Sequence, residues 1–177
     1  MRPLLTGGTL GGPRTDRQRA DLAANSCWTP VNATLLDAIH LALTGESEVA
    51  RQRFAQLWTT LPIDDFFHRC VLAHYMADLQ TDPNVELHWD QLALEAALVA
   101  SPASFDGHIP DVTRDAFLPS LHLNLASSYE RTRDLDSARR HAQLAMRAVA
   151  SLPATPLGET THAAILRISA RLGVHHE

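Results

Sequence analysis

The 177-residue chain contains no lysine, and all fifteen of its basic residues are arginine. That absence excludes Schiff-base chemistry on a lysine side chain and any phosphate loop that sets its lysine on a nucleotide. Cysteine is nearly absent as well. Cys27 and Cys70 make no disulfide framework for a chain this long, so free thiols in a reducing compartment are expected. There are only ten aromatic residues and five isoleucines, so the side chains that suit strands are scarce. No apolar run approaches 18 residues, which argues against a membrane-spanning helix. Leu4 and Leu5 run straight into Gly7, Gly8, Gly11 and Gly12, too short an apolar stretch for a signal peptide. A formal net charge of -5 removes the broad positive field that attracts nucleic acid. The expectation is a cytoplasmic protein with neither nucleic-acid nor membrane partners.

What is abundant is alanine and leucine, 26 of each. Both are strong helix formers, so the composition points to an all-α domain. A chain of this size buries enough surface to need no metal or disulfide staple.

The punctuation is regular after the first 28 residues, which read as a flexible tail rich in glycine and arginine. Thr29-Pro30 is a cap followed by proline at the first helical position, and that helix runs to about Leu43. Gly45 suits a left-handed break. Ser47 is placed to cap a helix to about Thr60, and Asp64 one to about Leu79. Asp82-Pro83 opens a helix to about Ala100. Residues 101–117 form an inserted loop, and the next helix, starting near Asp115 or Phe117, ends at Arg131. Asp134 caps a helix to about Ser151, and Thr155-Pro156 opens the last, over 156–172. Residues 174–177 are a short tail. The connections within pairs are short, which makes paired helices antiparallel neighbours.

The chain also repeats itself. Thr44-Gly45-Glu46 matches Thr132-Arg133-Asp134, and Ala50, Phe54 and Leu57 match Ala138, Ala142 and Ala145, always at an offset of 88. Ala38, Ala73 and Ala126 are equivalent small residues on first helices. A step of 39 from the first unit places Trp89, Ala93 and Ala96 on the matching face of the middle one. Ala138, Ala142, Ala145 and Val149 share one helical face, as do Leu121, Leu125 and Tyr129. Ile165, Ile168 and Leu172 give the last helix a docking stripe.

Residues 119–152 resemble a tetratricopeptide repeat through Asn124-Leu125-Ala126, Tyr129, Asp134-Leu135, Ala138, Ala145 and Met146. Residues 31–62 are similar through Gly45, Ala50, Phe54, Leu57 and Pro62, with Asp37 a departure from the family's apolar residue. The chain also resembles small actinobacterial tetratricopeptide proteins through His68 to Tyr75 and Tyr129 to Asp136. The resemblance implies a short right-handed α-α superhelix spanning 29–173. Its repeats would cover about 30–62, 64–100 and 118–152, with 156–172 as a capping helix.

That architecture implies a non-enzymatic module holding a peptide or partner protein in a concave groove lined by first helices. The inward positions implied are Ser120, Leu123, Asn124, Ser127, Glu130 and Arg131 in the third unit. Cys70, His74 and Ala77 are implied in the second, with Cys70 and His74 at the groove floor, and Leu35 and Ile39 in the first. Asn124 can bond both the donor and the acceptor of a peptide backbone, and Arg131 can fork onto a carboxylate. The lysine- and arginine-rich carboxylate clamp of the family has no counterpart here. Self-association is a further expectation, because short arrays leave apolar edges.

Other constellations carry less chemistry. Of the histidines His40, His68, His74, His88, His108, His122, His141, His162, His175 and His176, only His74 stands one helical turn from a cysteine, Cys70. That pair lacks two further ligands for a closed zinc site, so no cofactor or metal is expected. A Cys70 nucleophile lacks the helix N-terminus that lowers a thiol pKa. Asp64-Asp65, Asp82 and Asp111 with Asp115 read as caps and solvated turns. Arg139, Arg140 and Arg147 read as a solvated face. The 101–117 insert, with Phe105, His108, Ile109 and Phe117, reads equally as a lid over the groove or a cover on apolar surface. The lid reading supplies the alternative function, a sensor domain binding a small molecule or metal.

Overall fold

The computed structural model describes residues 30–105 and 113–174. Among them are seven α-helices and no strand: α1 (Pro30–Leu43), α2 (Ser47–Thr60), α3 (Phe66–Asp78), α4 (Pro83–Val99), α5 (Arg114–Arg131), α6 (Leu135–Ala148) and α7 (Pro156–Leu172). Short 3-10 turns follow α4 at Pro102–Phe105 and α6 at Val149–Ser151. The expected tail over 1–28 with Cys27, residues 106–112 with His108, Ile109 and Asp111, and His175 and His176 lie outside the described residues. None of the seven helices is long and apolar enough to cross a membrane.

The helix starts follow from side-chain caps. Asp82, Thr113, Asp134 and Thr155 accept from the backbone N–H groups of Asn84, Ala116, Ser137 and Gly158. Two expected caps move. Asp65, not Asp64, caps α3 by accepting from His68 N–H at 3.3 Å. Ser47 is the first residue of α2, and Glu46 precedes it without a side-chain cap. Helix α5 starts at Arg114, one residue before the earlier of the two expected starts, despite Pro119, which has no N–H for the Asp115 carbonyl. The Ser151 hydroxyl donates to that carbonyl at 2.6 Å.

Helices adjacent in sequence pack on one another throughout, and α1 also meets α3 and α5 also meets α7. Small residues set these approaches. Ala38, Ala73 and Ala126 on first helices and Ala50, Ala93 and Ala138 on second helices are wholly buried. Phe54, Leu72, Phe105 and Leu121 fill one core, and Ala142, Ile168 and Leu172 belong to a second around α6 and α7. Trp58 and Trp89 meet edge to face at 5.0 Å between α2 and α4. The described part of the insert packs as a cover: Phe105 is 0 % exposed and meets Phe67 edge to face.

The face of α4 corrects the spacing argument. Its buried residues are Asp90, Ala93 and Ala97, where a step of 39 expected Trp89, Ala93 and Ala96. Turning the helix by about one residue leaves Trp89 and Ala96 half-buried and carries a carboxylate inside.

Candidate functional site

The expected groove residues separate into four groups. Leu35, Ile39, Cys70 and Ala77 are core residues, at most 8 % exposed, and line no groove. Cys70 is the clearest correction. Its side chain points between the helices because α3 is buried along most of its length, and burial pushes the thiol well above its ordinary value. Burial so deep disfavours the thiolate that a nucleophile would need. Leu123 is half-buried against the α6–α7 core.

The outer end of α5 splits two ways. Glu130 turns to α7, where Arg171 grips its carboxylate at 2.7 Å and holds it below the usual range. Arg131 turns to α4 and pairs with Glu86. The two side chains therefore serve seams on opposite sides of α5, and Arg131 is not presented as a free carboxylate fork.

Ser120, Asn124 and Ser127 remain as a half-exposed row on α5. Asn124 crosses to α3. Its amide lies 3.4 Å from His74 Nδ1 and 3.5 Å from Asp78 Oδ1, both long hydrogen bonds. His74 packs edge to face on Phe117 at 5.1 Å. Burial lowers its pKa to about 4, so the ring is neutral near pH 7 and Nδ1 accepts from Asn124. Asp78 is exposed and has no arginine or histidine partner among the described residues. Partial desolvation of its carboxyl raises its pKa, partly offset by the Asn124 hydrogen bond.

Behind this row lies Asp90, which the sequence argument missed. It is 2 % exposed. Its Oδ2 stands 2.5 Å from the Ser128 hydroxyl, and its Oδ1 is buried without a partner among the described residues. Burial raises its pKa to about 7; the Ser128 hydrogen bond opposes that, the Asp78 and Glu86 charges add to it, and the nearby Asn124 amide opposes it weakly. Ser128 also reaches Glu86 Oε1 at 3.3 Å. When Asp90 is ionised the hydroxyl donates to it. When Asp90 is protonated it donates to Ser128, which is then free to donate to Glu86. The only signal in the sequence was Asp90 lying four residues after Glu86 on one helical face.

A second polar contact joins α5 to α6. His122 Nδ1 and His141 Nδ1 lie 3.0 Å apart, and Tyr129 stacks on His141. Burial lowers both imidazole pKa values, that of His141 to about 4. One neutral ring donates and the other accepts. No group of three or more histidine, cysteine, aspartate or glutamate side chains among the described residues is placed to hold a metal. Asp65 and Asp82 act as caps, and Arg139 donates to the Leu172 carbonyl at the end of α7.

Comparison of the chain with known protein families, curated proteins and solved structures finds no significant match.

Proposed function

We propose that the chain is a non-enzymatic, tetratricopeptide-like interaction module. In this reading α1–α2, α3–α4 and α5–α6 are three repeats of a short right-handed stack capped by α7. A peptide or partner protein lies along the first helices α3 and α5. The observation that carries the reading is the half-exposed row Ser120, Asn124 and Ser127 on α5, with Asn124 reaching His74 and Asp78 on α3. The repeated turn geometry at residues 44–46 and 132–134 supports the repeat assignment. Fold-level analogy alone is a weak guide to function, so the test addresses the row itself.

Affinity capture from cells that express the protein natively compares wild type with Ser127→Tyr and Asn124→Ala, each checked for an unchanged melting curve. A discrete protein captured by wild type and lost from Ser127→Tyr is the expected result. Equal capture by all three contradicts the reading.

A further inference from the structure

Three carboxylates converge where α3, α4 and α5 meet: Asp78, Glu86 and Asp90. Among the described residues Arg131 is the one guanidinium that pairs with any of them, and it is held by Glu86 at the outer end. Among the described residues Asp78 and Asp90 share no cation. Asp78 stands exposed at the edge, while Asp90 keeps one oxygen buried without a hydrogen bond from any described residue.

What faces outward here is acceptors. The Asn124 amide nitrogen reaches His74 and Asp78, and its carbonyl oxygen has no hydrogen bond among the described residues. Asp78 adds a carboxylate beside it. A group offering only donors and a positive charge satisfies both, and a guanidinium has five N–H donors in a planar fork with no acceptor. A carboxylate ligand would instead meet Asp78 and Glu86 as like charges.

We propose that this seam receives a basic side chain of the protein partner, arginine foremost, seated on Asp78 and the Asn124 carbonyl with Asp90 as the carboxylate behind them. The assignment rests on the interaction reading above and names the chemistry of the partner. The arriving cation also changes Asp90. The charged groups facing Asp90 are Asp78 from α3 and Glu86 from its own helix, with Arg131 of α5 beyond Glu86; all but Arg131 favour keeping its proton. A guanidinium on Asp78 offsets that repulsion, so the Asp90 proton leaves to solvent on binding. Binding therefore tightens as pH rises through neutrality.

Isothermal titration of the full chain with an N-acetylated hexa-arginine amide tests this, with hexa-glutamate as the opposite probe. Asp78→Asn is compared with Asp136→Asn, which removes the same charge from an exposed site on α6. The expected result is a loss of about tenfold in affinity for Asp78→Asn, the loss of one well-placed charge contact, and less than about twofold for Asp136→Asn. Wild-type affinity rises about tenfold from pH 6 to pH 8 with proton release, and Asp90→Asn flattens that rise while still binding. Equal weakening by Asp78→Asn and Asp136→Asn, or preference for hexa-glutamate, overturns the assignment. The interaction reading fails on a different result, undiminished partner capture by Ser127→Tyr.

Discussion

Arg133 adopts the left-handed backbone of Gly45. Its φ is 69°, against 90° at Gly45, and it is the one non-glycine residue with positive φ among those described. The surrounding hydrogen bonds repeat as well. Thr44 N–H donates to His40 and Glu46 N–H to Leu41; Thr132 N–H donates to Ser128 and Asp134 N–H to Tyr129, at matching lengths of 3.0 and 2.9 Å. A side chain in this region costs about 1–2 kcal/mol that glycine does not incur. Arg133→Gly is therefore expected to stabilise the fold by up to about 1 kcal/mol, after the extra freedom glycine brings to the unfolded chain. Gly45→Ala should destabilise by a similar amount. Urea unfolding of both variants checks this, and a loss of stability in Arg133→Gly would contradict it.

Gly158 answers to a different constraint, space. A Cβ at this position would collide with the Pro153 carbonyl oxygen, a backbone atom that cannot swing away. The loop before α7 thus packs directly on that helix. Gly158→Ala should destabilise by about 1–3 kcal/mol, the usual range for overpacking, although alanine is the better helix former. A neutral or stabilising result in thermal melting would show that the loop yields freely.

The pH dependence of stability has two opposing parts. His74 and His141 have folded pKa values lowered to about 4 from an ordinary 6.5. Their contribution is present above pH 6.5 and is lost as pH falls toward 4. Asp90 is raised to about 7 from 3.8, so its contribution is present below 3.8 and is lost as pH rises through 7. Asp90→Asn should therefore steepen the gain in stability between pH 4 and pH 7, and His141→Gln should flatten it. Urea midpoints measured across that interval check both slopes, and the opposite ordering of the two variants would refute the assignment.

The sequence made the helices and their pairing legible because caps, prolines and the 88-residue echo are local signals. Ala138, Ala142 and Ala145, or Ile165 and Ile168, were placed correctly on their buried faces by periodicity alone. The site was less legible. Small errors in rotation decide whether a residue lines a groove or a core, and Asp90 and Trp89 exchanged places on that account. Cys70, Leu35 and Ile39 were drawn into the groove by a family pattern, yet α1 and α3 bury those faces. The pairing of Arg131 with Glu86 and of Glu130 with Arg171 joins residues more than forty positions apart, which no local spacing specifies.

The central claim is that a protein partner lies along α3 and α5. Site-specific photo-crosslinking in native cells tests it most directly, with the photoreactive residue at position 127 on α5 or at position 143 on α6. Gln143 is exposed on the opposite side of its helix from the buried Ala138, Ala142 and Ala145. The account predicts one discrete crosslinked protein from position 127 and none from position 143. Adducts from position 143 alone, or identical adducts from both, would contradict it.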